Sequence, residues 1–239
     1  MAKSIIVDER IDKEIELSLK RLGFFVIRLP MSSLLPDAIG SHPDSLILKL
    51  GEVLISYSSY VEDGLSVFSD VREYHRNIRL SFVSEEPGKE YPSDCRLNAL
   101  VAGDRLFARL DSLANGVRET AERQGLRLIN TRQGYPACST LMLDESHAVT
   151  ADRGLGAVLE SEGIKVLLIS SGGISLPPYE YGFIGGASFV YKDAVYFFGD
   201  LSSHPDGERI RAFLSDAGYE AISLSQGALF DYGGAVILE

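Results

Sequence analysis

The sequence predicts an α/β fold: a five-bladed pseudo-symmetric ring of strand–strand–helix–strand modules whose last blade is built from both chain ends. Three observations carry this expectation. The same succession of apolar strands and helix-like stretches recurs along the chain. Where it recurs, an acid follows the first strand at a constant offset of 11 residues, from Leu100 to Asp111, Leu141 to Asp152 and Phe189 to Asp200. Finally, the two termini hold complementary fragments of the module.

In chain order, Ser4–Asp8 reads as a strand, and Ile11, Ile15, Leu19 and Leu22 form the apolar stripe of a helix. Gly23 and a strand at 23–27 complete the back of a module that has no front. The first complete module starts near Asp44, with strands at 45–50 and 53–55 around a Gly51 turn, and a closing strand at 78–83. Ser58 takes the place of the acid there, and the helix between has no clean period. The second runs through 98–102, a Gly103-Asp104 turn, 105–110, a helix carrying Leu113 and Val117, and 126–129. The third runs through 138–143, a turn at 144–146, 147–151, a helix carrying Leu155, Val158 and Leu159, and 164–169. The fourth runs through 187–191, a Lys192-Asp193 turn, 194–198, a helix carrying Ile210, Phe213 and Leu214, and 219–222. Residues 233–239 are a front without a back, so tail and head together make the fifth.

A ring closed in this way leaves no open sheet edge, and one domain over 1–239 is expected. Asp8, Asp111, Asp152 and Asp200 each fall between a strand and a helix, where a short carboxylate caps free backbone amides for about 1 kcal/mol. Gly23, Gly125, Gly163 and Gly218 are expected at helix ends, where positive φ suits glycine.

Composition narrows the function. The chain has 239 residues, 45% hydrophobic and 24% charged, which is ordinary for a folded protein with a sizeable core. Its 23 Lys+Arg against 34 Asp+Glu leave a net charge of −11, a field that repels nucleic acid and anionic membranes and mildly attracts cations. Two cysteines, Cys95 and Cys138, cannot form a disulfide framework or a four-cysteine zinc site. The first residues have too short an apolar run for a signal peptide, and no stretch reaches the ~20 apolar residues of a membrane helix, so a cytoplasmic location is expected. Gly182-x-x-Gly185-Gly186 lacks the lysine of a phosphate loop and the spacing of a dinucleotide site, and neither Gly-x-Ser-x-Gly nor His-Glu-x-x-His occurs. No cofactor or metal is expected: His42, Asp44 and Cys138 carry donor atoms, but their separation demands no ion.

Four stretches carry a family resemblance: Gln133-Gly-Tyr-Pro-Ala-Cys-Ser139, Tyr181-Gly-Phe-Ile-Gly-Gly-Ala187, Tyr196-Phe-Phe-Gly-Asp200 and Leu229-Phe-Asp-Tyr-Gly-Gly234. With the five modules, they resemble the pentein superfamily of guanidino-group-modifying enzymes, and within it an uncharacterised bacterial family. The resemblance implies a cysteine that attacks a guanidinium carbon, a histidine that shuttles protons and acids that hold the cation. His42-Pro43-Asp44 resembles the superfamily's His-x-Asp element. The superfamily's cysteine usually lies in the last module, where this chain has Gly233-Gly-Ala-Val-Ile-Leu-Glu239. The nucleophile would therefore have to be Cys138, from another module. On this reading Cys138 and His42 are catalytic, and Asp44, Asp94, Asn98, Gln133, Glu180 and Asp231 bind a small cationic substrate where module entrances converge. The alternative is a ring without chemistry, used to sense a ligand or bind a protein. His75 reads as a helix-surface residue, and Cys95 as a small space-filler.

Overall fold

The computed structural model describes residues 3–239. β1 (Ser4–Asp8), α1 (Lys13–Arg21) and β2 (Phe25–Leu29) come first, then the turn α2 (Pro43–Leu46), β3 (Ile47–Leu50), β4 (Val53–Tyr57), α3 (Leu65–Tyr74) and β5 (Arg79–Val83). β6 (Leu100–Ala102), β7 (Arg105–Ala108), α4 (Asn115–Arg123) and β8 (Arg127–Asn130) form the next module. They are followed by the turn α5 (Pro136–Ser139), β9 (Thr140–Met142), β10 (His147–Thr150), α6 (Arg153–Ser161) and β11 (Lys165–Leu168). β12 (Ser188–Tyr191), β13 (Ala194–Phe197), α7 (Gly207–Asp216), β14 (Glu220–Ser223) and β15 (Val236–Leu238) complete the chain.

These strands make five separate three-stranded sheets. In each, the middle strand pairs antiparallel with one neighbour and parallel with the other, the parallel connection passing through a helix. The terminal blade is assembled as expected: Ser4, Ile5 and Ile6 pair with Leu238, Ile237 and Val236, while β1 runs parallel to β2.

Alternation along the strands explains how the ring closes. Ile5 and Val7 pack with Phe189 and Phe198 of the neighbouring blade, whereas Ile6, pointing the other way, joins Ile55 and Leu106. Leu100 and Phe107 pack with Ala148 and Leu155, and Leu141 and Val149 with Val195 and Phe197. Each blade thus shares a core with the next, all the way round. One strand of every sheet (β3, β6, β9, β12 and β15) lines a common axial channel of about 390 Å³.

Local chemistry departs from expectation at several points. Cys138 and Ser45 lie in the single turns α5 and α2, not in strands, because Pro136 and Pro43 occupy first helical positions that suit their fixed φ. Asp152 caps α6 through the Leu155 amide at 2.8 Å. The other three acids do not cap the main helices. Asp200 caps the 3-10 turn Leu201–Ser203, Asp111 pairs with Arg109, and Asp8 turns inward while Asp12 caps α1. At the start of α4 the acceptor is Glu85, reaching the Asn115 amide from the 84–90 loop. Ser58 opens a 3-10 turn rather than α3, whose buried face is Val67, Phe68 and Val71. His75 is buried at the end of α3, with Nε2 at 2.7 Å from the Ser4 hydroxyl, so it braces the terminal blade and is not a surface residue. The four helix-end glycines have φ between +74° and +86°.

Candidate functional site

The entrances to the five inner strands meet at one end of the axis. The α2 turn delivers His42 and Asp44, and the α5 turn delivers Cys138. Asp231 lies just before Gly233, and donor atoms of His42, Asp44 and Cys138 all fall within 4.8 Å of one another. Gly186 and Gly233 permit this approach. A Cβ on Gly186 would run into Asp231 Oδ1 and Cys138 Sγ, and one on Gly233, which has φ +70°, into the His42 side chain.

Asp231 organises the floor. It is fully buried and accepts the Phe183 amide at 2.8 Å and the Gly233 amide at 2.9 Å. The Cys138 thiol donates to it, with Sγ 3.4 Å from Oδ2, and His42 Nδ1 lies 3.8 Å from Oδ1. On the other side of the imidazole, Nε2 lies 3.8 Å from Asp8 Oδ2. Asp8 is itself held by the Ser41 hydroxyl and by Arg10. Both His42 ring nitrogens, and Asp44 Oδ2, are buried without a hydrogen-bond partner.

The floor holds its protons. Burial raises Asp44 to about 8, assisted by the Asp231 charge. Burial, then the Asp231 and Asp44 charges, push the Cys138 thiol well above its ordinary range. Burial lowers His42 against the pull of Asp231 and Asp8. At neutral pH the floor is therefore thiol, neutral imidazole and protonated Asp44.

Above it opens a cavity of about 380 Å³, lined by His42, Cys138, Asp94, Glu180, Tyr91, Tyr135, Tyr179 and Tyr181, with apolar walls from Ile39, Leu176 and Phe183. Asp94 is buried with Oδ1 unpartnered, and burial together with Asp94 raises the adjacent Tyr135 phenol.

The expected residues thus divide. His42, Cys138, Asp94 and Glu180 face the cavity. Asp231 lies in the floor, and Asp44 reaches it from the axial channel. Asn98 stitches two turns together, accepting from the Ala137 amide at 2.9 Å and donating to the Asp44 carbonyl at 3.2 Å. Gln133 is not brought to the cavity: its amide donates to Asp152 at 2.8 Å, and it lines a different surface depression. Sequence reasoning missed Asp8, which looks like a cap from its position, and Tyr91, which lies outside every module.

A closed ring of five such blades is the pentein fold. Among solved structures, the chain is similar in fold to the dimethylarginine dimethylaminohydrolase of Pseudomonas aeruginosa, with 14% identity, TM-score 0.59, and coverage of 100% of this chain and 99% of that one. It also resembles the agmatine deiminase of C. jejuni, with 9% identity, TM-score 0.61 and coverage of 98% and 92%. For the inosamine-phosphate amidinotransferase of Streptomyces griseus the figures are 15%, 0.58, and 96% and 81%. No curated protein sequence matches. Residues 6–236 match the Family of unknown function (DUF6873), and the chain belongs to that family. No helix among the described residues is long and apolar enough to cross a membrane.

Proposed function

We propose that the mouth cavity binds a small guanidino compound and that Cys138 and His42 act on it at the floor. The observation that carries this reading is the lining itself: a thiol, an imidazole, two carboxylates and four tyrosines share one ligand-sized space. A guanidinium is a planar cation whose N–H edges suit carboxylates and whose faces suit aromatic rings. Asp94 and Glu180 pair with it, the tyrosines cover it, and Asp231, with protonated Asp44 beside it, lies in the floor below. Names of the structural neighbours, which include a deiminase and an amidinotransferase, accord with this ligand class.

In the reaction, Cys138 passes its proton to His42 as Sγ bonds to the guanidinium carbon. A C–N bond breaks, and the leaving amine takes a proton from His42. Water then adds to the carbon, giving a proton back to His42, and the C–S bond breaks to restore the thiol and release a urea-type product. The incoming cation opposes the carboxylate charges that keep the proton on sulfur.

One observation favours a second reading, sensing without turnover: the Cys138 thiol is only 4% exposed and held protonated. Calorimetric titration with arginine, agmatine and citrulline tests the binding, and ammonia or amine release tests the chemistry. Saturable binding of a guanidino compound, absent for its ureido counterpart and at least ~10-fold weaker in Asp94→Asn, is the expected result. Equal binding of arginine and citrulline, or none of any, would overturn the reading. Release that stops in Cys138→Ala selects hydrolysis; binding without release selects sensing.

A further inference from the structure

We propose that His42, Asp44 and Cys138 form a binding site for a divalent transition-metal ion of zinc type. This goes beyond the guanidino reading: the two share His42 and Cys138, but cation binding at the mouth rests on Asp94, Glu180 and the tyrosines, whereas the ion needs Asp44.

The donor set is one imidazole nitrogen, one thiol sulfur and one carboxylate oxygen, all within 4.8 Å. Tetrahedral zinc, with bonds of about 2.0–2.3 Å, separates such donors by about 3.3–3.6 Å, so the three need to close by about 1 Å. The unpartnered atoms point the same way. Both His42 nitrogens and Asp44 Oδ2 are buried with no partner, although buried polar groups are generally paired.

Charge supports it too. Asp8, Asp44, Asp231 and Cys138 converge on one buried region in which Arg10 is the neighbouring fixed cation. A dication among these groups would offset the like charges that this region brings together. Asp231, 3.8 Å from His42 Nδ1, stands where an outer carboxylate would orient the ring. His42 and Cys138 also line the mouth, so three protein ligands leave a coordination position facing that cavity. Nothing in the sequence spacing demands an ion, yet the fold sets His42 and Asp44 of the α2 turn against Cys138 of the α5 turn.

The test is titration of the chelator-treated full-length protein with Co(II), followed by absorption for a thiolate-to-cobalt band and by competition with Zn(II). The expected result is one saturable site with a sulfur-dependent band, displaced by Zn(II). Cys138→Ala should lose the band and Asp44→Asn should bind at least ~10-fold more weakly, with Glu180→Gln unchanged. Zn(II) should raise the Tm of wild type but not of Asp44→Asn, which keeps the test decisive if Cys138→Ala does not fold. No saturable site overturns the proposal, as does a band that survives in Cys138→Ala. Binding that is lost instead in His147→Ala also overturns it, by assigning the ion to the part-exposed His147–Asp144 pair. Because guanidino compounds are absent from this titration, its failure leaves their binding untouched, and the reverse also holds.

Discussion

Replacing Asp231 by alanine removes one carboxylate and strands groups from three module entrances. The Phe183 and Gly233 amides lose their acceptor, and the Cys138 thiol loses its own. Each stranded buried amide costs about 1–3 kcal/mol, so the pair costs about 2–6 kcal/mol, a large share of the 5–15 kcal/mol typical of domains. With a urea slope of about 2 kcal/mol per molar, the midpoint of denaturation should fall by about 1–3 M. Asp231→Asn, which keeps the shape and one oxygen acceptor, should lose less. It also removes the charge that helps hold the Cys138 proton, so alkylation of Cys138 at fixed pH should be faster than in wild type. An alanine variant within ~0.5 kcal/mol of wild type would refute the view that Asp231 organises the floor.

Asp44 predicts a pH dependence. Its folded value is about 8 against an ordinary 3.8, so the folded state keeps a proton that the unfolded chain gives up. Stability therefore falls as pH rises through that window, by up to ~1.4 kcal/mol per pH unit. Thermal melts across it should show a shallower fall in Asp44→Asn, and parallel curves would contradict the assignment. Gly186→Ala should disrupt the floor by driving a methyl into Asp231 and Cys138, lowering Tm and arginine affinity together in melts and titrations. Asp152→Ala should cost about 1 kcal/mol in urea melts, from the lost α6 cap.

The ring was legible because it rests on local rules. Strand alternation, the helix-end glycines and complementary termini are all written within short windows, and they placed β1 beside β15 across almost the whole chain. The acids were harder, because a carboxylate after a strand looks the same whichever way it turns. Asp152 caps its own helix, while Asp8 turns to Ser41, Arg10 and His42 from another module. The module entrances bring His42, Cys138 and Asp94 to one cavity, but spacing cannot say which side of a turn faces the axis. Gln133 and Tyr135 stand two residues apart, yet one reaches Asp152 and the other lines the cavity. Tyr91 belongs to no module element, so no periodicity could align it with Tyr135, whose ring lies 6.0 Å away.

The most direct measurement is a crystal structure of the protein soaked with arginine. The account predicts the guanidinium between the tyrosine walls, an N–H edge on Asp94 and its carbon facing Cys138 Sγ. Density for the ligand in the axial channel, or a mouth that stays free of it at saturating concentration, would contradict the account.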